Sequence, residues 1–129
     1  MPEHMILDGK VVDARYRLRS DAAVDESLKA EDAIPFDQWL ARKTAGETLN
    51  GVGAILEGDL DIRPLRDEIL SLPFVVLNLP KFADGRVYSH ARRIRSVWGY
   101  EGVILIVGDV LRDQLLYMSR CGVNAFYMR

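Results

Sequence analysis

The sequence predicts an α/β protein with a small parallel four-stranded sheet built from consecutive βα units, extended by an N-terminal β-hairpin. From residue 51 onward, four short apolar runs alternate with segments of helical periodicity, and this order is typical of parallel sheets with right-handed crossovers. The third run is apolar on both faces, as expected for a central strand. Near the start, an Asp-Gly turn between two apolar runs favours a hairpin.

Residues 1–34 are interpreted as this hairpin followed by a surface connection. Asp8-Gly9 is predicted to form the turn. The second arm alternates between apolar and polar residues with a period of two, which indicates that one face is exposed to solvent. The apolar side of that arm comprises Val12, Ala14, Tyr16 and Leu18. Residues 20–34 are polar and acidic and predict the surface connection, and apolar residues at helical spacing predict a short helix over Pro35–Lys43.

Residues 51–129 predict the βα core of a single domain that spans residues 1–129. The predicted strands are Gly51–Glu57, Phe74–Leu79, Val103–Val107 and Ala125–Met128. The predicted helices are Asp61–Leu70, Asp84–Trp98 and Asp109–Arg120. Gly122 follows the last helix at the position of a C-terminal cap, where a left-handed conformation is common.

Composition favours a globular protein, with 49% apolar and 28% charged residues in 129. No apolar run is long enough to cross a bilayer, and the first residues lack the pattern of a secretory signal. Cys121, the single cysteine, has no partner for an internal disulfide. We therefore expect a cytoplasmic protein that does not associate with membranes.

Charge is distributed unevenly along the chain. Residues 1–79 carry a net charge of −6, whereas residues 80–129 carry +4. A small basic region on an acidic protein suits a small anion or an acidic partner surface. The balance argues against nucleic-acid binding, which usually needs a strongly basic domain.

The segment that joins the second strand to its helix is the predicted binding site. In open parallel sheets, ligands bind beyond the carboxyl ends of the strands, and a helix start favours anions. The predicted ligand-binding residues are Lys81, Asp84, Arg86, Ser89, Arg93 and Asp109. The alternative is that Asp84 and Asp109 only cap their helices and that the arginines lie on a solvated face.

Catalytic candidates are few. His90 and Asp109, with Asp59 beside them as a further acid or base, are the residues that a reaction would use, but no nucleophile–base pair is visible. The sequence contains no dinucleotide fingerprint, P-loop, Cys-x-x-Cys or His-Glu-x-x-His motif, so no cofactor and no metal are expected. Whether the protein is an enzyme stays open at this point.

Several blocks of the sequence resemble a bacterial family of unknown function numbered 934, often labelled "oxidoreductase probably involved in sulfite reduction". The matching blocks are Pro80-Lys81-Phe82-Ala83-Asp84-Gly85-Arg86, Tyr88-Ser89, Ala91-Arg92, Gly99-Tyr100 with Gly102, Gly108-Asp109-Val110-Leu111-Arg112-Asp113-Gln114, and Arg120-Cys121-Gly122 with Ala125-Phe126. The chain departs from the usual family residues at Val103, Leu105, Val123, Asn124 and Tyr127. The chain therefore looks like a divergent member of that family.

The resemblance implies an accessory protein of assimilatory sulfite reduction that binds a small oxyanion or docks to sulfite reductase or another sulfur-assimilation protein. The missing cofactor motifs do not fit the oxidoreductase label. Two alternatives remain: an α/β enzyme acting on an anionic substrate, and a non-catalytic interaction module. A short parallel sheet also leaves edges that a homodimer would cover.

Overall fold

The computed structural model describes residues 4–19, 28–79, 85–108 and 115–127. In this part of the chain, four α-helices pack against a single sheet. The strands are His4–Leu7 (β1), Lys10–Asp13 (β2), Arg17–Leu18 (β3), Asp32–Pro35 (β4), Gly53–Glu57 (β5), Phe74–Leu79 (β6), Val103–Gly108 (β7) and Ala125–Tyr127 (β8). The helices are Phe36–Thr44 (α1), Arg66–Leu70 (α2), Gly85–Arg92 (α3) and Leu115–Arg120 (α4).

The prediction of a small four-stranded parallel sheet is wrong. The described strands form one eight-stranded mixed sheet in the order β2-β1-β8-β7-β6-β5-β4-β3. Strands β3 to β8 are parallel, whereas β1 is antiparallel to both β2 and β8. The N-terminal hairpin is thus a continuous part of the sheet, paired to β8, and two further parallel strands extend the opposite edge.

Strand β4 is the main element that the sequence did not predict. Residues Ala33 and Ile34 are fully buried, and they pair in parallel register with Gly53 and Ala54 of β5. These are the only two strongly apolar residues of the strand. A run this short, next to acidic residues, does not by itself predict a strand. The interpretation of residues 20–34 as a surface connection therefore misses it, because pairing with β5 stabilises the strand.

The sheet must be strongly curled. β2 and β3 lie at opposite ends of the strand order, yet only residues 14–16 join them. An extended link of that length spans at most about 14 Å, whereas eight flat strands would place the two edges about 34 Å apart. Curling brings the edges together and creates an enclosed inner face.

Apolar side chains fill the inner face of the curl. They are Met5, Tyr16, Ala33, Ile55, Phe74, Val76, Leu105, Val107, Ala125 and Tyr127. The ring of Tyr16 lies 4.2 Å from that of Phe74, measured between centroids, and the Tyr127 hydroxyl donates to the Tyr16 carbonyl oxygen. Burial raises the pKa of Tyr127 to about 12. The four apolar residues of the predicted second hairpin arm do pack into this inner core, but the arm is divided into β2 and β3 at opposite edges of the sheet.

All four described helices pack on the outer face of the sheet and bury a second, larger core there. Val87, Ala91 and Ile94 are fully buried, as the helical spacing predicts. After Arg92 the helix α3 continues as a π-helical turn over Arg93–Val97, which the sequence did not indicate. Among the described residues, no helix is both long enough and apolar enough to cross a membrane.

Gly122 caps α4 as predicted. Its φ of 104° is left-handed, the Gly122 N–H donates to Ser119 O at 3.0 Å, and the Val123 N–H donates to Met118 O at 3.1 Å. This pair of bonds is the Schellman arrangement that closes a helix. The cap turns the chain directly into β8.

Asn124, one of the departures from the family pattern, joins three parts of the fold. Its Oδ1 accepts from the Ile104 N–H at 2.8 Å and from Arg95 Nη2 at 3.3 Å. Its Nδ2 donates to Asp8 Oδ1 at 3.3 Å. Arg95 also donates to the carbonyl oxygens of Gly122 and Tyr100, so the π-helical turn is tied to the start of β8.

Candidate functional site

A groove of about 560 Å³ with both charged and apolar lining residues lies on the outer surface of the helix layer. We call it the α3 groove, because α3 and its π-helical turn contribute most of its walls. The segment after β5 and the helix α4 supply the remainder. Its lining residues are Leu60, Asp61, Arg63, Tyr88, Ser89, His90, Arg92, Arg93, Val97 and Tyr117.

One wall of the groove is fixed by a local ion pair. Arg63 donates from Nε to Asp61 Oδ1 at 2.9 Å, and from Nη2 to Asp61 Oδ2 at 3.1 Å. The Arg63 backbone N–H also donates to Asp61 Oδ1 at 3.2 Å. These bonds from Arg63, together with the positive charges of Arg63 and Arg93, hold the pKa of Asp61 below its ordinary value.

The opposite wall is aromatic and is held by α3 and α4. The rings of Tyr88 and Tyr117 meet edge to face, with centroids 5.3 Å apart and an interplanar angle of 82°. Arg92 Nη2 lies 3.6 Å from the sulfur of the buried Cys121. That contact raises the pKa of Arg92, whose guanidinium also interacts with the side chain of Tyr117.

The groove is cationic. Among the described residues, three guanidinium groups, those of Arg63, Arg92 and Arg93, line it together with the single carboxylate of Asp61. Ser89 contributes a hydroxyl and His90 an imidazole to the lining. Planar guanidinium groups match the oxygen geometry of phosphate, sulfate and carboxylate. The arrangement can therefore hold an oxyanion without any metal.

The structure places some of the predicted site residues in the α3 groove and others outside it. Ser89, His90 and Arg93 all line the α3 groove. Arg86 is exposed at the start of α3 and is not among the lining residues of the groove. Asp59 is exposed beyond β5 and is likewise not part of the lining. Three further predicted ligand-binding residues, Lys81, Asp84 and Asp109, lie outside the described residues.

Sequence reasoning missed the residues that arrive from other elements. Asp61 and Arg63 are predicted only as part of the helix Asp61–Leu70, and Tyr117 only as part of the helix Asp109–Arg120. Glu57 and Asn78 were also missed at the carboxyl ends of β5 and β6. Asn78 Nδ2 donates to both carboxylate oxygens of Glu57 at 3.1 Å. A donor side chain and an acceptor side chain at the ends of adjacent strands are the pattern that would have predicted this pair.

The family departures lie away from the groove. Leu105 is fully buried on the inner face of the curl, and Val103 packs against the same core. None of the five departing residues lines the α3 groove. Val123 packs in the outer core, and the groove is built from other positions.

A second groove of about 490 Å³ lies at the amino ends of β5 and β6. Its walls include Trp39, Lys43 and Ser71. Within the described residues, the buried indole N–H of Trp39 has no hydrogen-bond partner. We call this the Trp39 groove. It carries fewer cationic side chains than the α3 groove and lies at the other edge of the sheet.

Among the described residues, no group of three or more His, Cys, Asp and Glu side chains could hold a metal ion. The fold and the groove define an α/β protein with an anion-compatible surface site on its helix layer. A family model described as "Bacterial protein of unknown function (DUF934)" matches residues 53–129. The chain belongs to this family, and the resemblance drawn from the sequence is confirmed. Comparison with curated proteins and comparison with solved structures gave no match.

Proposed function

We propose that this protein is an accessory protein of assimilatory sulfite reduction that binds a small oxyanion in the α3 groove. Family membership and the resemblance described above support the link to sulfur metabolism. The observation that carries the binding proposal is the presence of Arg63, Arg92 and Arg93 around one groove, with a single carboxylate among its described lining residues. A cytoplasmic location and docking to sulfite reductase belong to the same proposal.

The electrostatics favour an anion over a cation or a neutral ligand. Asp61 is already engaged by two side-chain hydrogen bonds from Arg63, so its charge is partly neutralised. Arg92 and Arg93 then leave the groove with a net positive charge. Hydrogen bonds between ionised donors and oxyanions are about twice as strong as neutral ones.

Binding is tested by isothermal titration calorimetry with sulfite, sulfate and phosphate at low ionic strength. We expect binding by the wild-type protein and a loss of about tenfold or more in Arg93→Gln. Arg66→Gln is the matched control, because Arg66 is an exposed arginine of α2 that pairs with Asp67 outside the groove. No binding of any of the three anions, or equal loss in both variants, would contradict the proposal.

The metabolic role has a separate test. Deletion of the gene should slow growth on sulfate or sulfite as the sulfur source and leave growth on cysteine unchanged. The Arg93→Gln variant should fail to restore growth, whereas Arg66→Gln should restore it. Normal growth of the deletion strain on sulfite would remove the link to sulfite reduction.

An enzyme acting on an anionic substrate is the second candidate, and the placement of His90 in the groove wall favours it. Ser89 is adjacent to His90 on the helix, and neighbouring positions do not face each other, so these two residues do not form a nucleophile–base pair. Catalysis would then use His90 as an acid or base. Loss of turnover in His90→Gln with unchanged anion binding would distinguish this role from simple binding.

A further inference from the structure

The size of the α3 groove exceeds what a bare oxyanion needs. A volume of about 560 Å³ falls within the range of sites for small organic molecules and cofactors, roughly 300–1,000 Å³. Sulfite has only four heavy atoms, and one water takes about 30 Å³ of liquid volume. Most of the groove would stay unfilled around such an anion, so the shape indicates a larger ligand.

The apolar surface of the groove points in the same direction. Among the described residues, three large apolar side chains are highly exposed, namely Val11, Val97 and Tyr117. Two of these three, Val97 and Tyr117, line the α3 groove. Exposed apolar side chains that adjoin convergent polar groups are typical of binding sites.

The aromatic wall is preformed. Tyr88 holds the ring of Tyr117 edge to face, and Tyr117 is still 50% exposed. A ring held in this way offers a stacking surface at little cost in side-chain entropy. Arg92 lies beside Tyr117, so a ligand that stacks there also meets a guanidinium group.

We propose that the α3 groove binds a nucleotide-like organic anion, in which a heteroaromatic ring stacks on Tyr117 and a phosphate or sulfate group pairs with Arg93. This inference rests on the proposed oxyanion site and names the class of compound that carries the anion. The ring fills the apolar side of the groove, and the anionic group lies among the guanidinium groups. A sugar-sized linker accounts for the remaining volume.

The test compares adenosine 5′-monophosphate, adenosine and inorganic phosphate by calorimetry. We expect the nucleotide to bind at least about tenfold more tightly than either fragment. Tyr117→Leu should weaken nucleotide binding by about fivefold or more, as for loss of one stacking contact, and leave phosphate binding unchanged. Val11→Ala is the matched control, because Val11 is an exposed apolar residue of β2 outside the groove.

The outcomes separate this inference from the proposed function. Equal affinity for phosphate and the nucleotide, or no effect of Tyr117→Leu, would overturn the inference and leave the oxyanion site intact. Absence of binding by both phosphate and the nucleotide would overturn both. Nucleotide binding that Arg93→Gln weakens and Val11→Ala does not change would support the inference.

Discussion

Arg63 donates from Nε and Nη2 to the two carboxylate oxygens of Asp61, at 2.9 and 3.1 Å. This pair lies in the wall of the α3 groove, and the positive charge of Arg93 also acts on Asp61. Asp61 therefore has two opposite effects on an incoming anion. It orients Arg63, and it contributes the one negative charge among the described residues that line the groove.

Removing the charge of Asp61 should strengthen anion binding. In Asp61→Asn the amide oxygen still accepts one hydrogen bond from Arg63, while the repulsion of the anion disappears. We expect phosphate affinity to rise about two- to fivefold at low salt. Asp67→Asn is the control, because Asp67 pairs with Arg66 outside the groove. Weaker phosphate binding in Asp61→Asn would show that orientation of Arg63 outweighs the charge.

Asp32 should make the stability of the protein depend on pH. It is 1% exposed and accepts from Arg17 Nε at 2.6 Å and from the Lys29 N–H at 2.9 Å. Burial, the largest influence, raises the pKa of Asp32, but these bonds and the charges of Arg17 and Arg19 outweigh it and lower the pKa overall. The ionised form therefore stabilises the fold.

The expected cost of Asp32→Asn is about 2 kcal/mol of unfolding free energy at pH 7. Because the folded pKa lies below the unfolded value near 3.9, the stabilisation is complete well above that value and is lost as the pH falls through the folded pKa. Urea unfolding of both proteins between pH 7 and pH 3 measures the difference. A difference that stays constant down to pH 3 would contradict this role.

Gly122 should tolerate no side chain. A Cβ at this position would lie 2.4 Å from Arg95 Cβ and 2.5 Å from Arg95 Cγ, and the backbone is left-handed. We expect Gly122→Ala to lose about 2–4 kcal/mol of unfolding free energy, since the strained backbone adds to the clash. Gly46→Ala is the control, with a φ of +89° and open space around its Cβ. Equal losses in the two variants would show that only backbone conformation matters.

Asn124 should be more important for stability than another asparagine of the sheet. Asn124→Ala leaves the Ile104 N–H without its side-chain acceptor and removes one bond to Arg95, so we expect a loss of about 1–3 kcal/mol. Asn78→Ala removes only bonds to the exposed Glu57 and should cost less than about 1 kcal/mol. Thermal unfolding of both variants gives the comparison, and equal losses would contradict it.

Local patterns predicted the elements of the core well, and non-local pairing explains what was missed. Val87, Ala91 and Ile94 were assigned to the inner face of a helix from their spacing, and all three are fully buried. Ala33 and Ile34 are equally buried, but they form a strand only by pairing with β5. No local pattern carries that information, so both the number of strands and the curl of the sheet escaped prediction.

The contrast between local patterns and non-local packing also explains which residues of the site were predicted. Ser89, His90 and Arg93 were found from one helical segment, because residues on one helix share local spacing. Asp61 and Tyr117 come from elements on either side of α3 and join the groove only through packing. Arg86 is predicted as a ligand-binding residue together with Arg93, but the groove is lined further along α3, towards the π-helical turn.

The location of anion binding is the central claim, and a ¹⁵N–¹H NMR titration of the wild-type protein with sulfite tests it most directly. We predict that the largest amide shifts occur at residues 61–63 and 88–93. Largest shifts at residues 46–52 of the Trp39 groove, or no shifts at saturating sulfite, would contradict the claim.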